Sequence, residues 1–183
     1  VNSEIVARYQ GVASVGLFGA VVPATAAVVS LPLAMASRTV GKTAVCVLGG
    51  VAFAAEAALF ASFTDAELGL RTENLVCIYL LHGVGRGVWE GVFKGLYADY
   101  FGGASAKDGQ REAAFGSLIF VSGGAGAFGF FAFGSLERSV SVALLAVASL
   151  AAIAGVFGAH LVHTRCAQAQ YDQLDDAGDG ERI

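Results

Sequence analysis

The sequence predicts an all-α integral membrane helical bundle, and three observations carry that reading. Of 183 residues, 56% are hydrophobic and only 14% charged, with a mean hydropathy of +0.66, whereas a soluble domain carries roughly a quarter charged residues. Apolar stretches of the length that crosses a ~30 Å hydrocarbon core, about 20 residues as a helix, recur along the chain. The strict alternation of a barrel strand is absent, so α-helices are left to satisfy the backbone polar groups in lipid. Other classes fall away on composition. The 25 glycines follow no Gly-X-Y period, which excludes a collagen-like chain. The net charge of -4 comes largely from Asp172, Asp175, Asp176, Asp179 and Glu181, so no nucleic-acid partner is expected; the expected partner is the lipid bilayer.

Taken in order, the stretches run over residues 10–33, 43–63, 75–100, 113–134 and 139–163. No charged residue lies between Arg8 and Arg38, between Glu112 and Glu137, or between Arg138 and Arg165, which defines the first, fourth and fifth. The second and third carry charges. Short connections make consecutive helices antiparallel neighbours. With the turn at 34–42, the loop at 101–112 and the C-terminal tail placed in the cytoplasm, Arg38, Lys42, Lys107, Arg111 and Arg165 lie inside, against Arg8, Arg71 and Arg138 outside, a modest positive-inside bias. Residues 1–164 are thus expected to form a partial bundle, and the acidic tail 165–183 to be disordered. The opening at Val1 and the odd number of spans suggest that helices are missing upstream.

The third stretch carries two series at four-residue spacing. Gly83, Gly87, Gly91 and Gly95 predict a flat ridge against which a neighbouring backbone packs closely. Beside it run His82, Arg86, Glu90 and Lys94, which stay near one side because four residues turn a helix by about 400°. Ionised together at mid-membrane, Arg86, Glu90 and Lys94 would cost about 7 to 10 kcal/mol, more than the roughly 3 to 6 kcal/mol returned by the apolar residues of the same stretch. That helix needs companions or a watery cavity. Glu90 and Lys94 are the better-oriented internal pair. Glu56 in the second stretch is the other deep charge, and counting from the span centres puts it within reach of Arg86. Intramembrane charges mark an ionic pathway by default, with a structural ion-pair cluster as the alternative.

Weaker patterns carry little. Gly41-Lys42-Thr43 ends like a phosphate-binding loop, but Ala36 stands where its first glycine belongs. Gly83-Val84-Gly85 starts like a dinucleotide fingerprint and has Val88 in place of the third glycine. His160, His163 and Cys166 follow at three-residue steps, close enough to touch one metal, though interfacial anchoring is the better reading and no metal or cofactor is expected. The cysteines Cys46, Cys77 and Cys166 are too scattered for a disulfide framework. No nucleophile and base are spaced as a catalytic constellation, so no enzymatic activity is expected.

The order of these features resembles the C-terminal half of the uncoordinated-93-like family, a branch of the major facilitator superfamily. The residues that carry the likeness are Leu33 to Lys42 with Ser37, Arg38 and Gly41 in the turn, Val47-Leu48-Gly49-Gly50, Gly83 to Glu90 with Val88-Trp89, and Arg111 to Phe115. The likeness covers residues 8–165. It implies that the spans are helices 8 to 12 of a twelve-helix fold, that the turn 37–42 is cytoplasmic, and that the third span lines the central cavity. It also implies an absent N-terminal half, and two functions: a transporter, or a non-transporting regulator of an ion channel or trafficking chaperone for a membrane receptor. Ala34 or Leu33 stands where many relatives carry glycine near the start of the turn, and Lys42 where they carry arginine.

Overall fold

The computed structural model describes residues 2–101, 110–133 and 136–179. Every regular element among them is helical: α1 (Asn2–Gln10), α2 (Val12–Thr39), α3 (Lys42–Ser62), α4 (Asp65–Leu70), α5 (Thr72–Gly87), a π-helical turn (Val88–Val92), α6 (Phe93–Phe101), α7 (Gln110–Phe133) and α8 (Arg138–Asp179). Each of the five apolar stretches is helical over most of its described residues. Three helices, Val12–Thr39, Lys42–Ser62 and the Arg138–Ala169 part of α8, are long and apolar enough to cross a membrane. The rod from α5 to α6 carries the charge stripe, and α7 is diluted by glycine and serine.

The element boundaries follow from backbone chemistry. Gly11 and Gly41 stand before α2 and α3 with φ of 88° and 89°, a region that L residues rarely adopt. The first predicted stretch, 10–33, is therefore entered by an elbow at Gly11, and α2 continues to Thr39. Pro23 and Pro32 lie inside α2, as membrane helices tolerate when neighbours compensate the lost hydrogen bonds. Thr64 caps α4 in a capping box: its backbone N–H and hydroxyl each donate to Glu67 Oε2 at 2.8 Å, and its hydroxyl oxygen accepts from Glu67 N at 3.3 Å. The tail expected to be disordered departs from that reading, because α8 runs on to Asp179. Its Ala, Gln and Leu content favours continuation of a helix already nucleated, and no proline stops it. Residues 180–183 and the loop residues 102–109 lie outside the described residues.

The packing order is α2 beside α5, α5 beside α3 and α3 beside α8, with α1 and α4 folded over one end. Facing residues fix the directions. Gly83 meets Thr25 and Val22, and Gly87 meets Val29 and Ala26, so α2 and α5 run parallel. Gly85 meets Phe53, and Gly49 meets Val88, so α3 and the α5–α6 rod run antiparallel. Two apolar clusters result. The upper one joins Ile5, Val6, Phe18, Phe60, Leu68 and Leu75 under the α1–α4 cover; the lower one joins Leu33, Val45, Cys46, Val88, Val92 and Val156. Outward positions remain apolar: Val12, Val28 and Phe120 are 79%, 75% and 82% exposed. A face of that kind belongs against lipid or another protein.

Candidate functional site

The polar layer lies between the two clusters. Glu56 on α3 is only 3% exposed, and its carboxylate sits 3.1 Å and 3.3 Å from His82 Nδ1 on α5. His82 also meets Phe53 edge to face at 5.5 Å between ring centroids. A buried carboxylate without a partner is strongly unfavourable, and the imidazole on the neighbouring helix supplies that partner. The expected Glu56–Arg86 contact does not form. Phe53 faces Gly85 and Glu56 faces His82, and that antiparallel register leaves Arg86 about one turn away from Glu56, nearer the level of Ala52. Counting from predicted span centres missed this offset because α5 begins at Thr72, before the predicted start of the span.

Arg86 instead pairs within its own helix: Nε donates to Glu90 Oε1 at 2.7 Å. Both side chains are half-exposed, at 46% and 55%. The favoured Glu90–Lys94 pair is also replaced by this arrangement, and Lys94 has no ion-pair partner among the described residues. Glu90 lies in a π-helical turn, in which Phe93 N–H bonds back to Val88 O. It inserts an extra residue into the helical repeat, so positions four apart across it no longer stack as they do in an α-helix.

The same turn splits the glycine ridge. A Cβ at Gly83 would lie 2.5 Å from Thr25 Cβ and 2.9 Å from Val22 O, and one at Gly87 3.3 Å from Ala26 Cα. Beyond the turn, Gly91 has nothing within 4 Å, and Gly95 meets only Lys42, at 3.6 Å. The close helix approach expected of all four glycines is therefore made by Gly83 and Gly87. Unexpected close approaches occur at Gly85 against Phe53, at Gly49 against Val88 and at Gly50 against Ile153. The glycine on one side of each crossing was the available signal for these.

The turn at the lower end divides in the same manner. Ser37 Oγ donates to Ala34 O at 2.8 Å, Arg38 is exposed, and Gly41 supplies the positive φ. Lys42 reaches across to α6, donating to Asp99 Oδ2 at 2.7 Å and to Gly95 O at 3.3 Å. At the upper end Arg138 of α8 bonds Asp65 and the carbonyls of Phe60 and Phe63. Sequence reading singled out neither Asp99 nor the Arg138–Asp65 contact; both are long-range acid and base matches at a shared end of the bundle.

His160 and His163 diverge. His160 Nδ1 lies 3.3 Å from Thr43 Oγ1, while His163 stacks on Tyr100 with centroids 4.6 Å apart. Among the described residues no three His, Cys, Asp or Glu side chains are grouped to hold a metal. Trp89, Phe93, Tyr97 and Tyr100 line an apolar groove of about 690 Å³ against Val156 and Ala159 of α8. Helix α7 attaches beside it, where Tyr97 Oη donates to Ala114 O at 3.1 Å and stacks edge-on with Phe115. The chain matches none of the protein families, curated proteins or solved structures with which it was compared.

Proposed function

We propose that this chain is part of a multi-pass, transporter-type membrane protein of the uncoordinated-93-like kind, with its five apolar helices as spans and the N-terminal half of the fold supplied by residues outside this sequence. The face of the α5–α6 rod bearing His82, Arg86, Glu90 and Lys94 lines an ionic pathway, and the turn at 37–42 is cytoplasmic. One observation carries the reading: Arg86 and Glu90 are half-exposed deep in the rod, about 21 Å and about 17 Å from its nearer end when counted at 1.5 Å per residue. Against lipid each charge would cost roughly 2.5 to 3.5 kcal/mol. Water or a polar cavity removes that cost. Reconstitution of the full-length protein in vesicles tests it: Arg86→Ala and Glu90→Gln stop uptake without lowering the amount of folded protein. Uptake unchanged by both substitutions overturns it.

A second reading, a non-transporting regulator of an ion channel or chaperone for a membrane receptor, is favoured by α7. None of its described side chains is buried, and Phe120 and Phe128 are exposed beside glycines with open space around them. Such a face suits another transmembrane helix. If α7 substitutions abolish cellular function while Arg86→Ala and Glu90→Gln do not, this reading replaces the first.

A further inference from the structure

Resting on the transporter reading, we propose that the Arg86–Glu90 pair binds the two charged ends of a small zwitterionic solute of the α-amino-acid class. The pair is joined by a single hydrogen bond, Nε to Oε1 at 2.7 Å. Both terminal guanidinium nitrogens of Arg86 and the second carboxylate oxygen of Glu90 have no hydrogen-bond partner among the described residues. A guanidinium fork is shaped for a carboxylate, and a free carboxylate oxygen accepts from an ammonium. Open space adjoins them, since nothing lies within 4 Å of a Cβ at Gly91.

Charge complementarity selects the class. The neighbouring deep acid, Glu56, is already engaged by His82, so it does not compete for Arg86. A simple anion drawn to Arg86 meets Glu90 at once, and a simple cation drawn to Glu90 meets Arg86. Where water is scarce, either like-charge contact weighs heavily. A solute with its carboxylate and ammonium on the same carbon matches two opposite charges 2.7 Å apart and changes the net charge of the cavity not at all. Depth argues for a free solute over a lipid headgroup, because Arg86 lies about 21 Å and Glu90 about 17 Å from the nearer end of the rod at 1.5 Å per residue.

The test measures equilibrium binding to full-length protein in nanodiscs of anionic lipid, which carry no zwitterionic headgroup. Alanine, leucine and phenylalanine are each compared with their N-acetyl and methyl ester derivatives. The expected result is a free amino acid bound at least about tenfold more tightly than either derivative. Arg86→Ala removes its advantage over the methyl ester, and Glu90→Gln its advantage over the N-acetyl form. Arg86→Lys keeps the charge without the fork and weakens binding less than Arg86→Ala does. A derivative that binds as well as its parent, or no amino acid binding, overturns the proposal. If a singly charged solute is nevertheless taken up with dependence on Arg86 and Glu90, the transporter reading survives that failure; if no solute is, both fall.

Discussion

Two polar contacts one turn apart along the α5–α6 rod are built to opposite ends. Glu56–His82 bridges two helices, and its carboxylate is 3% exposed; Arg86–Glu90 stays within one helix, and both members are about half-exposed. The first acts as a tie between α3 and α5. The second holds nothing together and leaves its remaining donors and acceptor uncommitted. In one stripe of evenly spaced charges, burial and the origin of the partner separate a structural contact from an available one.

The largest expected effect tests that division directly. His82→Ala takes the partner from the buried Glu56, which costs about 3 kcal/mol, because the imidazole is itself 42% exposed and water reaches part of its place. Cys46 provides the readout, because it is a buried free thiol. In a Cys77→Ser, Cys166→Ser background its labelling by a thiol reagent reports unfolding, and the labelling midpoint is expected to fall. A midpoint unchanged by His82→Ala would falsify the tie.

Next come the glycines on either side of the π-helical turn. Gly83→Ala places a methyl group 2.5 Å from Thr25 Cβ and 2.9 Å from a backbone oxygen, for a loss of about 1 to 3 kcal/mol. Gly91→Ala meets open space and gains up to about 1 kcal/mol in helix propensity. Equal losses from the two would show that the ridge is continuous after all.

A smaller effect comes from the cover at the upper end. The Thr64 backbone N–H, then the Thr64 hydroxyl and more weakly the Arg71 charge hold the Glu67 carboxylate below its usual range. A carboxylate with its folded value depressed stabilises the fold fully above the unfolded value and loses that contribution as pH falls through the folded value. Thr64→Ala removes one of the two main causes. The acid-side decline in unfolding temperature should therefore be shallower in Thr64→Ala than in the parent, and parallel pH profiles would contradict this.

The smallest effect belongs to the exposed pair. Arg86→Ala is expected to change stability by no more than about 0.5 kcal/mol, as for other exposed pairs at i, i+4, while abolishing uptake. A large loss of stability would return Arg86 to the structural class of Glu56.

The helices were legible in the sequence because unbroken apolar runs and their charged ends are local signals. The residues of the polar layer were legible by type as well: Glu56, His82, Arg86 and Glu90 all proved to be paired. Their pairing was not. Partner choice depends on the register between α3 and α5, and that register is set by contacts such as Gly85 on Phe53 and Gly49 on Val88, residues more than thirty positions apart. Four-residue spacing held for the contacts of Gly83 and Gly87 and for the Arg86–Glu90 pair, and failed for Gly91, Gly95 and Lys94, in and beyond the π-helical turn. The reach of Lys42 to Asp99 was hidden for the same reason as Glu56–His82, since each requires knowing which helix ends meet. Helical continuation beyond Arg165 was missed because charge alone was weighed there, and not the good helix formers between the charges.

An additional residue in a helical repeat is a change of phase, and phase can be undone. Closing that turn into an uninterrupted α-helix with every residue kept would swing everything below Trp89 by about 100° around the axis. Asp99 would turn away from Lys42, and Gly91 and Gly95 would drift from the face of Gly83 and Gly87 by about 40° per step. Five residues, Val88–Val92, thus set which way the lower half of the rod faces.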